Sequence, residues 1–227
     1  MRSPADSATQ VLLGRVLGLI LTLFLPAWTF AAGLTVAVSD RNGRGVADVV
    51  VTVSGLDKVR DAVPGHNAES SLVMDQLGMR FVPEVLVVPV GSAVTFPNSD
   101  SVSHQVYSFS KAKRFQLSLY KGTAHPPVNF DAPGLVVLGC NIHDQMAGYI
   151  YVTDAGWYGK TDANGNLELE GLPATELQVT IWSPRIADAN DALTRHIKGS
   201  DSRVEFRLRR DLRGTPEPRP RNPDWDY

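Results

Sequence analysis

The chain has 227 residues, 43% of them hydrophobic, and its 22 Lys and Arg against 24 Asp and Glu leave a net charge of −2. The charge divides into 13 basic against 18 acidic residues over 33–202 and 7 against 5 over 203–227, which argues against nucleic acid as a partner and permits only modest electrostatic steering at physiological salt. A single cysteine, Cys140, excludes an intramolecular disulfide.

Residues 1–32 read as an export signal: Arg2 and Arg15 in a basic start, an apolar run over 16–25, Pro26 as a break, and Thr29-Phe30-Ala31-Ala32 near a cleavage point. The run is too short for a comfortable membrane span, so the mature protein is expected in a periplasm with no span after signal removal. About 195 residues then remain, enough for a sizeable core or two small domains. Residues 34–38 alternate apolar with other side chains, Asn42-Gly43 supplies a turn, and the valine-rich 49–53 follows, which predicts an opening hairpin. A polar connector with Gly55, Pro64 and Gly65 runs to residue 70. From Ser71 a second module begins, with a β-branched run over 81–88, a turn at Pro89-Val90-Gly91-Ser92, and a strand over 93–96 that delivers the chain to His104. Residues 110–135 read as looser, and 136–138 and 149–152 as two strands around a short loop. Beyond Asp154, Thr161-Asp162-Ala163-Asn164-Gly165 is a turn, 166–170 and 177–182 alternate, and Val204, Phe206 and Leu208 share one face of a last strand.

No long stretch has helical periodicity, so the fold is read as all-β. Strands at 34–53 and beyond 155 lack enough neighbours in sequence to complete sheets, so the two ends are expected to pair, with the module at 71–154 inserted between 33–70 and 155–210. Residues 211–227, with Pro216, Pro218, Pro220 and Pro223 among charges, read as a disordered tail.

The short loop carries the chemistry. Cys140, His143 and Met146 stand three residues apart in a C-x-x-H-x-x-M pattern. Thiolate, imidazole and a weak thioether suit copper cycling between two oxidation states, whereas zinc prefers three or four strong ligands and gains nothing from methionine. The missing ligand should be a second histidine, and His104, on a separate strand-like segment, is the candidate. The set His104, Cys140, His143 and Met146 has the composition of a blue-copper electron-transfer centre, with one type 1 copper per chain. A buried cysteine can also be a small hydrophobe, and a short Cys-His spacing can mark a catalytic thiol. Strand, loop and strand around Cys140 fit a metal clamp better than a nucleophile elbow. His66, His125 and His196 read as solvated, and Met74 and Met79 as packing residues.

These residues resemble a family. Phe81-x-Pro83, Val88-x-x-Gly91, Val94-x-Phe96-x-Asn98, His104 and the Cys140 loop are similar to the cupredoxins, and the loop spacing is similar to that of amicyanin. Residues 104–110 and 138–144 look closer still to plastocyanin-like proteins labelled methylamine utilization proteins. The flanks, with Asp162-Ala163-Asn164-Gly165 and Leu172-Pro173, resemble transthyretin-like or carboxypeptidase-regulatory-like sandwiches. The resemblance implies a Greek-key β-sandwich, equatorial ligation by His104, Cys140 and His143, and Met146 axial. The chain departs from the pattern at Gln105, where plastocyanin and amicyanin have asparagine, and at Asp144 and Gln145, where amicyanin has proline and a large apolar residue; the latter implies a different redox partner. Gln105, Asn98 and the backbone around Asn141 are the candidates for bracing the ligands, and His143 for the electron portal. Two non-catalytic functions stay open, an electron carrier between redox partner proteins and a copper-binding accessory or maturation protein of an amine-oxidising system, with a thiol enzyme the weakest reading. Oligomeric state cannot be read from the sequence.

Overall fold

The computed structural model describes residues 33–55, 72–188 and 193–214, which belong to one unit. The expected export signal, His66 and nearly all of the connector, and the tail beyond 214 lie outside them. Among the described residues there is no α-helix.

The strands, in chain order, are β1 (Leu34–Ser39), β2 (Val50–Gly55), β3 (Asp75–Gln76), β4 (Phe81–Val82), β5 (Val85–Pro89), β6 (Ser92–Val94), β7 (His104–Phe109), β8 (Arg114–Tyr120), β9 (Val128–Phe130), β10 (Gly134–Gly139), β11 (Ala147–Thr153), β12 (Trp157–Lys160), β13 (Asn166–Leu169), β14 (Glu176–Trp182), β15 (Thr194–Lys198) and β16 (Arg203–Arg207). Two sandwiches result. The outer one faces a sheet of order β13-β1-β16 with one of order β12-β2-β14-β15. In the inner one, a five-stranded sheet of order β5-β11-β10-β7-β8 is faced by the pairs β3-β4 and β6-β9, which single bridges from Val73 to Thr95 and from Gln76 to Asn98 stitch together.

β1 and β2 do not form the expected hairpin. β1 pairs with β13 and, in parallel, with β16, while β2 pairs with β12 and β14 in the other sheet. Their side-chain patterns explain the separation: β1 alternates buried and half-buried, whereas Val50, Val51, Thr52 and Val53 of β2 are all buried. Val51 and Val53 enter the outer core with Val36, Leu177 and Phe206, and Val50 points into a separate apolar layer between the sandwiches. β5 is built the same way, with Leu86 and Val88 in the inner core and Val85 and Val87 in the layer. A strand buried on both faces reads as a continuous apolar run, because neither face meets water. Each such valine contributes about 1.5–3 kcal/mol relative to an exposed one.

The layer is completed by Tyr149, Tyr151, Tyr158 and Trp182, with the Trp182 ring 5.7 Å from Tyr149 and 5.5 Å from Tyr151. Lys160 Nζ reaches across it to the carbonyl of Val85 at 3.0 Å. The segment 110–135 is more ordered than the sequence suggests: β8 has seven residues and pairs with β7 as an edge strand. Its solvent-facing side blurs the alternation by which a strand is recognised. Of the tail, residues 211–214 are held to the body, through the Arg213 N–H on the Arg185 carbonyl and the Arg41–Asp211 ion pair.

Candidate metal centre

β10 and β11 are antiparallel with Gly139 opposite Ala147, so residues 140–146 form the loop that joins them at one end of the inner sandwich. β7 lies on the other side of β10, registered at Tyr107 with Gly139, and starts at His104. That neighbourhood sets the spacing of the site. Gly139 permits it, since a Cβ there would come 2.7 Å from the Tyr107 ring that covers this strand end. The Met146 N–H donates to the His143 carbonyl at 2.9 Å and turns the loop back into β11.

Three of the four predicted ligands converge. His104 Nδ1 lies 3.1 Å from His143 Nδ1, and Cys140 Sγ lies 3.8 Å from each of those nitrogens. His104 is wholly buried, Cys140 is 3% exposed, and His143 is half-buried. Met146 is buried in the same core cluster as Cys140. His104, Cys140 and His143 form the one grouping of potential metal-ligating side chains of this kind among the described residues.

The donor set fits a transition metal. Corners 3.1, 3.8 and 3.8 Å apart have a common centre about 2.1 Å from each, within the range of roughly 2.0–2.3 Å for metal bonds to imidazole nitrogen and thiolate sulfur. Two imidazole nitrogens and a sulfur turned toward one another in a buried place would otherwise have to share protons among poorly matched partners.

Tautomer and orientation are set from behind. His104 Nε2 lies 2.9 Å from Asp100 Oδ2, so the ring proton sits on Nε2 and Nδ1 presents its lone pair to the centre. The same carboxylate oxygen accepts the Met79 N–H at 2.7 Å, and the Asp100 N–H donates to Asn98 Oδ1 at 3.0 Å. Burial would raise the Asp100 carboxyl, but the backbone N–H of Met79, the His104 ring and the Gly78 N–H outweigh it and hold the group below its ordinary value. Asn98 in turn donates to the carbonyls of Val102 and Tyr120 at 3.0 and 2.8 Å. Gln105 braces the other side: Asn141 Nδ2 donates to its Oε1 at 2.7 Å, tying the Cys140 loop to β7.

Asp100 is the residue that sequence reasoning missed. The available signal was a carboxylate four residues before a candidate ligand histidine, a pattern too common to stand out. Tyr120, at the end of β8, was missed as well. Its hydroxyl donates to the Phe96 carbonyl at 2.6 Å and accepts from Gln76 Nε2 at 2.5 Å, and burial pushes it up to about 12. The other two histidines among the described residues stay away from the centre: His125 packs edge-on against Tyr120 and contacts the Ser118 carbonyl, and His196 is exposed. Met74 is core, and Met79 is a left-handed backbone position with φ of 55°.

No protein-family model and no curated protein matches the chain. Solved structures similar to it include a Cu-containing nitrite reductase (NirK) from Thermus scotoductus SA-01, 26% identical over 37% of this chain, with a TM-score of 0.35. The chain spans only 22% of that reductase. A purple cupredoxin from Nitrosopumilus maritimus is 24% identical over 36% of this chain and 98% of its own, with a TM-score of 0.33. The oxidised form of an amicyanin mutant is 19% identical over 47% of this chain and 99% of its own, with a TM-score of 0.34. The fold of this chain is all-β, built as two sandwiches.

Proposed function

We propose that this protein is an exported type 1 copper protein that carries single electrons between redox partners. The observation that carries the reading is the donor triangle of His104 Nδ1, His143 Nδ1 and Cys140 Sγ. When bound, copper would supply one-electron chemistry between Cu(II) and Cu(I), in a trigonal site that suits neither state fully and changes little between them.

The chain's own residues do the rest. Cys140 supplies the soft anionic donor, and the strands beneath hold the two imidazoles at fixed separation, so little has to rearrange when an electron moves. Met146, carried back toward the core by the turn at His143, would supply the weak thioether donor. His143 is the portal, because it is half-buried while His104 has no exposed surface. The reading takes 1–32 as a signal that sends the protein to a periplasm, 71–154 as the copper module between 33–70 and 155–210, and one copper per chain.

Titrating the purified protein with Cu(II) while following visible absorption and electron paramagnetic resonance tests the proposal. An intense visible band saturating at one copper per chain, and reversible one-electron reduction, are expected. A colourless adduct that cannot be reversibly reduced would rule the carrier out. The outer sandwich favours a second reading, an accessory or maturation protein of an amine-oxidising system, since electron transfer alone does not require a second sandwich. That role would show as copper passing to a partner protein, with loose or Cu(I)-only binding.

A further inference from the structure

We infer that Asp100 is a positioning residue for the metal centre: it keeps the His104 proton on Nε2, aims Nδ1 at Cys140 and His143, and places a negative charge behind that ligand. The inference rests on the copper reading above and adds a means of tuning to it. His104 is 0% exposed, and its imidazole has two polar atoms to satisfy. Nδ1 faces the other donors at 3.1 and 3.8 Å, and Nε2 meets Asp100 Oδ2 at 2.9 Å. A neutral backbone carbonyl could hold the same tautomer, so a carboxylate here brings something more, a full charge whose side chain is only 13% exposed. At such a site water screens poorly, and the charge is felt at the centre.

Asp100 is also built in. Its N–H is held by Asn98 Oδ1, whose own amide nitrogen is anchored on the Val102 and Tyr120 carbonyls, and its Oδ2 takes the Met79 N–H. The loop is pinned again where Ser99 Oγ donates to Asp75 Oδ2 at 2.8 Å. Segments on either side of the carboxylate therefore keep it behind the imidazole whether or not a metal is present. A negative charge there stabilises the more positive oxidation state, so it favours Cu(II) over Cu(I) and lowers the reduction potential. Groups that orient a metal-bound histidine from behind typically change metal affinity by about 10–100-fold.

The test separates hydrogen bond from charge. Asp100→Asn retains an oxygen that can accept from Nε2 but removes the charge. Compared with wild type, it should keep the visible band while its preference for Cu(II) over Cu(I) falls about tenfold, a rise of about 59 mV in a one-electron potential. A potential equal to that of wild type overturns the inference. Should Asp100→Asn fail to fold, nitrogen-15 NMR of the copper-free wild type decides: with the imidazole neutral, the proton belongs on Nε2 of His104, and a proton on Nδ1 overturns the inference. Because this measurement uses no copper, it also distinguishes the two failures. A wild type that gives no blue centre defeats the copper reading, whereas a blue wild type with the proton on Nδ1 defeats the Asp100 inference alone.

Discussion

The two sandwiches are made from similar valine-rich strands, yet they bury different things. The outer core is aliphatic apart from Phe206, and a buried polar group such as Thr161 serves the backbone, donating to the Val46 carbonyl and accepting the Val49 N–H. At its ligand end the inner sandwich buries Gln76, Asn98, His104 and the Tyr120 hydroxyl; Gln76, Asn98 and Tyr120 are hydrogen-bonded to one another or to neighbouring carbonyls, and His104 to the Asp100 carboxylate. Burying polar groups costs stability unless each is paired, and a fully paired network is rigid. The outer sandwich is thus built for cohesion, while one end of the inner sandwich gives up apolar packing to hold side chains at fixed separations. Gln76 Oε1 is the exception, buried without a partner among the described residues.

That contrast can be broken at either side. The largest effect is expected from Cys140→Ser, which should abolish the visible band altogether, because that band arises from a thiolate bound to Cu(II) and serine offers only a harder oxygen donor; melting of the copper-free protein should move little, since the replacement is nearly isosteric. Phe206→Ala should do the reverse. Truncating this buried ring should cost about 3–5 kcal/mol in denaturant unfolding while leaving the absorption of the copper-loaded protein in place. Met146→Leu is expected to keep both fold and copper but to raise the reduction potential, because loss of a weak axial donor disfavours Cu(II). An unmoved potential in voltammetry would show that the sulfur is not axial.

The smallest effect lies at Tyr120, where the polar network meets the core. Burial raises its hydroxyl to about 12 from the ordinary 10.0, so the folded protein holds this proton more tightly than the unfolded chain. Its contribution is complete below pH 10 and is lost as pH rises through about 12, since over that window the unfolded chain releases the proton first. Tyr120→Phe should therefore flatten the fall of stability with pH between 10 and about 12, at a cost near neutrality of about 1–3 kcal/mol from the stranded Phe96 carbonyl and Gln76 amide. Tyr149, Tyr151 and Tyr158, also raised by burial between the sandwiches, will keep part of the alkaline slope.

What could be read from the amino-acid order alone was what is local or periodic. The strand–loop–strand placement of the C-x-x-H-x-x-M segment was legible because such a segment carries its candidate donors at covalently set spacing, and β1, β13, β14 and β16 because one wet face leaves an alternating pattern. Gln105 was legible as a brace, but that its longer amide meets Asn141 is a matter of how β7 lies against β10. Tertiary structure alone decided that β1 and β2 part into different sheets, that residues 114–120 form an edge strand, and that Tyr149, Tyr151 and Trp182 fill a layer between sandwiches. It alone turned Asp100 toward His104. The reason is common to all of these: which face of a strand is dry, and which of many carboxylates meets an imidazole, depends on segments distant in the chain, and nothing in a residue's own neighbours encodes the partner it will find.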